Sequence, residues 1–224
     1  EGLPQVEYAS VLRRRWRRSP VEVRHEMERD LGYPMFIKPA NLGSSVGITK
    51  AHDAAEFDVG MDEAARYDRK LVIEANAGNC CEVEVAVLGY EEPETSVVGE
   101  IVPANEFYDY NAKYEDEDSE LHIPARIRPE TAQKVRQMAR RVFLAVEAAG
   151  LARVDFFVSQ DDDEHIYVNE INTMPGFTPI SMYPKLWEAS GVSYAQLIDR
   201  LIQLALERHE DRQDTTTDKG RAHR

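Results

Sequence analysis

Arg153-Val154-Asp155-Phe156-Phe157 and Asn169-Glu170-Ile171-Asn172-Thr173-Met174-Pro175-Gly176 decide how this chain is read. Val154 to Val158 and His165 to Asn169 are expected as strands, joined by the turn Asp161-Asp162-Asp163-Glu164. Such a hairpin brings Asp155, Glu170 and Asn172 to neighbouring strand positions. Glu170 and Asn172, two residues apart, project from one sheet face. Two carboxylates and an amide oxygen are hard ligands of the kind that hold Mg²⁺ together with substrate phosphates. Arg153 beside them can neutralise charge developing on a transferring phosphoryl group or a tetrahedral oxyanion, and Gly176 can present a backbone N–H to the same oxygen. A merely solvated acidic hairpin explains the turn. It does not explain acidic and amide side chains set among Tyr167, Val168, Ile171 and a Met-Pro-Gly turn.

Upstream, Met35 to Lys38 is a short strand ending in a lysine, followed by Gly43-Ser44-Ser45-Val46-Gly47 and a second strand. The loop is open to two readings: a hairpin turn, or a nest of N–H groups and hydroxyls for an anion. It lacks the Gly-Lys-Ser/Thr ending of a P-loop. Lys38 is harder to dismiss, because a buried unpaired ammonium is costly. A third polar stretch, Glu106-Phe107-Tyr108-Asp109-Tyr110-Asn111-Ala112-Lys113-Tyr114, falls in a long loop over residues 104–119. Its aromatics either staple the loop down or close over a reactive intermediate.

The remaining elements follow from period and punctuation. Ser19-Pro20 predicts a helix start, with Val21 to Leu31 as the helix. Residues 52–68 read as a helix, Leu71 to Glu74, Glu82 to Leu88 and Val97 to Val102 as strands. Pro129 to Ala149 reads as an amphipathic helix with Val135, Met138, Val142, Phe143 and Val146 on its apolar face. Tyr194 to Arg208 is the last expected helix, and a polar tail is expected to be disordered. Strands and helices mix without regular βαβ alternation, which favours an α+β fold over a doubly wound parallel sheet.

The 224 residues carry 27 Lys and Arg against 41 Asp and Glu, a net charge of −14. That balance counts against a general nucleic-acid binder. No apolar run of about 18 residues is present, so no membrane span is expected. No signal peptide is visible before Leu3-Pro4, adjacent Cys80 and Cys81 make no disulfide framework, and a cytoplasmic location is the default. The absence of an initiator Met suggests a longer chain. The Arg13 to Arg18 cluster reads as solvated, the six histidines have no ligand spacing, both cysteines as inert, and Trp187 as an anchor.

Taken together, the stretches 36–47, 105–114, 150–157 and 169–184 resemble the ATP-grasp superfamily, and within it the D-alanine–D-alanine ligases. The resemblance implies two α+β subdomains with ATP between them, a central one over residues 1–78 and a C-terminal one over 79–208, then the tail at 209–224. The family's N-terminal domain is absent from this stretch, and with it a glutamate that orients the first substrate. ATP would phosphorylate one D-alanine, the amine of a second would attack the acyl phosphate, and D-alanyl-D-alanine for cell-wall precursors would result.

By the same resemblance Lys38, Ser45, Glu74, Ala77, Glu82 and Lys113 would bind the nucleotide. Asp155, Glu170 and Asn172 would hold two Mg²⁺ or Mn²⁺ ions. Arg153, Ser44, Tyr114 and Gly176 would serve catalysis, and Ser181 and Met182 the second substrate. Tyr114 favours an amino acid over D-lactate as that substrate. A homodimer is the family expectation, with no nucleic-acid or membrane partner. The connector between Glu74 and Glu82 departs from the family pattern in length and lacks its bulky residues. The rival readings are a non-catalytic nucleotide-binding module and a related carboxylate–amine or D-alanine–D-lactate ligase.

Overall fold

All strand pairings among the described residues are antiparallel, which agrees with an α+β fold and not with a doubly wound parallel sheet. The computed structural model describes residues 1–43, 45–102, 120–162, 165–178 and 180–214. Ser44, Lys113 and Tyr114 therefore lie outside the described residues, as do Pro179 and residues 215–224.

The first sheet has the order β1-β4-β2-β3, with β1 at Tyr8–Leu12, β2 at Met35–Pro39, β3 at Thr49–Ala51 and β4 at Lys70–Ala75. Alternation places Met35, Ile37, Leu71 and Ile73 on a buried face. Helices α2 (Pro20–Asp30) and α3 (Ala54–Tyr67) contribute Val23, Met27, Phe57 and Met61 to the same core. Asp53 caps α3 by accepting from the N–H groups of Ala55 and Glu56 at 2.8 and 2.9 Å. Ser19 makes no side-chain cap at α2, where Pro20 at the first helical position suffices. The arginine cluster is α1 (Arg13–Arg18), not a loose segment. Trp16 is buried and donates to Asp62 at 2.7 Å, so one apolar residue docks the helix while most arginines stay in solvent.

The second sheet has the order β7-β6-β5-β8-β9: β5 is Cys80–Gly89, β6 Glu94–Val102, β7 Glu120–His122, β8 Gly150–Ser159 and β9 Ile166–Asn172. One face packs on α4 (Pro129–Ala145), joining Val135, Ala139, Val142 and Phe143 to Val83, Val85, Val154 and Phe156. The helix stops at Ala145, short of expectation, and Val146 is 51% exposed, because the chain leaves the sheet there. Thr131 and Ala139 take buried positions on this face instead.

The opposite face is covered at one end by α5 (Met182–Ala189) and α6 (Tyr194–Asp214), which bury Ala86, Leu88, Tyr183, Leu186 and Trp187. Helix α5 is not among the elements expected from the sequence, and it contains Pro184. The proline sits in the first turn, where backbone N–H groups have no intrahelical partner to lose. Helix α6 runs past Arg208 to Asp214, which corrects the expected start of the tail. Tyr90 donates to Asp211 at 2.9 Å and ties that extra turn to the body. Among the described residues no helix is long and apolar enough to cross a membrane.

Candidate active site

Because α5 and α6 cover only one end of their sheet face, Glu82 and Glu84, in alternation with buried Ala86, continue that face toward the first sheet. There a cleft of about 440 Å³ opens between the two sheets. Lys38, Ser45, Glu74, Ala77, Glu82 and Glu170 all line it.

On the first sheet, Lys38 Nζ lies 2.6 Å from a Glu74 carboxylate oxygen, both side chains partly buried. β2 and β3 pair antiparallel, and between them the N–H groups of Val46 and Ile48 donate to the Gly43 and Ser45 carbonyls at 3.3 Å. β2 and β3 thus form a hairpin, and these two N–H groups turn to the loop's own carbonyls. Ser45 keeps a left-handed φ of 57°. Gly47 also has a positive φ, of 74°, and a Cβ there would meet Tyr67 Cδ2 at 2.7 Å.

On the second sheet, Asp155 stands directly opposite Glu170, and Arg153 directly opposite Asn172. Arg153 donates from Nε to one Asp155 oxygen at 2.7 Å and from Nη2 to the other at 2.6 Å, a bidentate fork. A Glu84 oxygen lies 3.1 Å from the same Nε. Burial acts to release the guanidinium proton, but Asp155, Glu84 and Glu170 prevail and hold its pKa above the usual value. Arg153 is a fixed cation.

Arg153, Asp155 and Asn172 do not line the cleft itself but continue beyond Glu170 along the hairpin. Gly176, Ser181 and Met182 form a separate group further on. A Cβ on Gly176 would lie 2.8 Å from Ser181 Oγ, which accepts from the Thr178 N–H at 3.1 Å. Met182 packs its side chain into the core and begins α5, so the part it can turn to a ligand is its backbone N–H.

Sequence reading passed over three elements. Glu84, 6% exposed, was detectable from the Glu-Val-Glu-Val alternation that puts it on the face of Glu82. Lys50 lines the cleft, its ammonium 5.8 Å from the centre of the Phe36 ring. Arg126 closes on buried Glu100 with Nη2 at 2.9 Å and Nε at 3.1 Å. Cys80 donates to the Ala77 carbonyl, and burial, with Asp161 and Asp162 adding to it, raises its thiol pKa, in keeping with an inert cysteine.

The donor set suits a divalent cation only in company. Among the described residues no three His, Cys, Asp or Glu side chains gather into a metal cage. Asp155 carries Arg153 on both oxygens and Asn172 Oδ1 accepts from the Met174 N–H at 3.1 Å, but each oxygen retains a lone pair. Hard oxygens in an incomplete set match Mg²⁺ that is completed by phosphates.

The D-ala D-ala ligase C-terminus family model matches residues 1–203. The D-alanine–D-alanine ligase of Heliobacterium modesticaldum is 52% identical over 217 residues, covering 97% of this chain and 59% of that protein. The ligase of Clostridium acetobutylicum is 52% identical over 208 residues, covering 93% and 60%. Among solved structures, the D-alanine–D-alanine ligase from Coxiella burnetii superposes with a TM-score of 0.80 at 34% identity, over 95% of this chain and 55% of that one. The VanG D-Ala:D-Ser ligase from Enterococcus faecalis gives 0.79, also at 34% identity, over 91% and 57%. The chain thus spans less than two thirds of the length of these relatives. With two antiparallel sheets of the ATP-grasp type facing each other across a cleft, it belongs to the D-alanine–D-alanine ligase family, whose C-terminal part it represents.

Proposed function

We propose that this chain is the nucleotide-binding and catalytic part of an ATP-dependent D-alanine–D-alanine ligase serving peptidoglycan precursor synthesis. The observation that carries this reading is the Arg153 fork on Asp155, directly opposite Glu170, at the rim of a cleft whose other wall carries Lys38.

In this reading Glu74 and the connector at Ala77 face the adenine, Glu82 the ribose, and Lys38 with Ser45 and Lys113 the phosphates. Asp155, Glu170 and Asn172 would hold Mg²⁺ or Mn²⁺, which supplies positive charge to the phosphate oxygens. A carboxylate oxygen of the first D-alanine attacks the γ-phosphorus, and the bond to the β-phosphate oxygen breaks to release ADP. The free amine of the second D-alanine attacks the acyl carbon, and its surplus proton leaves with the departing phosphate. Arg153 and the Gly176 N–H stabilise the oxyanion, and the C–O bond to phosphate then breaks. Ser44 and Tyr114 would orient the substrates, and Ser181 with the Met182 N–H would receive the second carboxylate. The relatives at 52% identity are named for D-alanine, which supports D-alanine as second substrate. A cytoplasmic location and a homodimer belong to the same reading.

Calorimetry with Mg·ADP and a phosphate-release assay with D-alanine test it on this chain. Expected is Mg²⁺-dependent nucleotide binding with poor turnover, because part of the relatives' length is not represented. No nucleotide binding with or without Mg²⁺ overturns the reading, and rapid D-alanine-dependent phosphate release overturns the expectation of poor turnover.

A further inference from the structure

Glu84 is a carboxylate where packing alone would favour an apolar side chain. It follows the alternation of Ala86 and Leu88, both buried under α5 and α6, and lies opposite Gly99. A Cβ on Gly99 would come within 2.7 Å of Met182 and Leu186 of α5. Glu84 therefore marks the place where the apolar half of the face ends and the reactive half begins. It also stands directly opposite Asp155, which stands directly opposite Glu170, so three carboxylates form one row across β5, β8 and β9. Burying such a group is costly unless a cation meets it. Arg153 does so, with Nε 3.1 Å from a Glu84 oxygen.

The fork is gripped from two strands. Asp155 accepts from Nε and Nη2 within β8, and a Glu84 oxygen from β5 stands 3.1 Å from Nε as an ion pair, the Nε hydrogen itself going to Asp155. If Asp155 also faces a divalent ion, as the proposed function requires, its oxygens are shared between that ion and Arg153. A second carboxylate then keeps the guanidinium in place while Asp155 turns to the ion.

We propose that Glu84 is a positioning residue for ligation, holding the Arg153 guanidinium in the orientation in which it meets the developing oxyanion. This rests on the ligase reading given above.

The test compares Glu84→Gln and Glu84→Asp with the wild type. On this chain, ¹⁵N NMR follows water exchange of the Arg153 Nε–H, assigned with Arg153→Lys. Expected is an exchange about two- to fivefold faster in Glu84→Gln, because loss of the ion pair loosens the Arg153 fork on Asp155, with Mg·ADP affinity unchanged and partial recovery in Glu84→Asp. In the whole ligase carrying this stretch, Glu84→Gln lowers kcat about 10- to 100-fold while KM for ATP holds. Unchanged Arg153 exchange and unchanged kcat overturn the proposal. So does a kcat loss that tracks the melting temperature in both variants, the mark of a structural role alone. Should Glu84→Gln not fold, Glu84→Asp carries the comparison by itself, its shorter side chain widening the gap to Arg153 and giving the same split on a smaller scale. Failure of the ligase reading is seen separately, as a wild-type chain that binds no Mg·nucleotide.

Discussion

Lys38 on β2 reaches Glu74 on β4 at 2.6 Å although neither is the other's register partner: Lys38 lies opposite Val72 and Glu74 opposite Phe36. The contact is diagonal, within reach of two long side chains on the same sheet face. It sets an ammonium at the cleft wall that is already neutralised before any phosphate arrives. A nucleotide phosphate must therefore compete with Glu74 for it, which bears directly on affinity.

Lys38→Met is expected to weaken Mg·ATP binding by about 10- to 100-fold, the range for one charge-assisted hydrogen bond. Calorimetry on the folded variant reads this. An unchanged affinity would mean that Lys38 serves only Glu74.

Glu170→Gln tests the cation site. Glu170 is exposed at the cleft, so the fold should tolerate the change. Nucleotide affinity without Mg²⁺ should hold, while the Mg²⁺ concentration for half-maximal binding rises about tenfold or more. A magnesium titration at fixed ADP separates the two. Equal Mg²⁺ dependence in both proteins removes Glu170 from the metal set.

The Glu100–Arg126 pair predicts a pH dependence of stability. The Arg126 hydrogen bonds hold the Glu100 carboxyl below its ordinary 4.5, against burial, which works the other way. A depressed carboxylate contributes stability that is fully present above the unfolded value and is lost as pH falls through the folded one. Arg126→Ala should therefore lower the melting temperature at pH 7, and the gap to wild type should narrow once the pH falls below 4.5 and close as it passes the lowered folded value. Thermal melts across this pH range decide it; a gap that persists in acid rules the pair out as its source.

Gly99 lets α5 lie against β6. A β-branched side chain would start 2.7 Å from both Leu186 Cδ2 and Met182 Cε, so Gly99→Val should cost about 1–3 kcal/mol by overpacking. Gly99→Ala should cost less, since both neighbours are the ends of flexible side chains. Denaturant unfolding measures both, and a neutral valine would show that α5 shifts freely.

The hairpin with Asp155, Glu170 and Asn172 was legible because two strands and a short turn are local: period two sets the faces and the turn sets the partners. The same holds for the hairpin at 41–48. Helix α5 was not legible, since eight residues containing a proline give too little period to read. Nor was the exposure of Val146, which depends on where α4 parts from the sheet rather than on its own spacing.

By itself, then, the order of residues determined the α+β class, the faces of individual strands and the chemistry of the groups they carry, because these follow from backbone periodicity and side-chain type within a few neighbours. Which groups meet was decided only by tertiary structure. Glu84 joins Arg153 because β5 lies beside β8, and Lys38 joins Glu74 because β2 lies beside β4. That strand order is set by burying Val83, Val85, Val154 and Phe156 under α4, and Ile37 and Ile73 with Phe57 of α3 in the first sheet's core. Hydrophobic burial of this kind sums over the whole sheet, so no local stretch of sequence contains it.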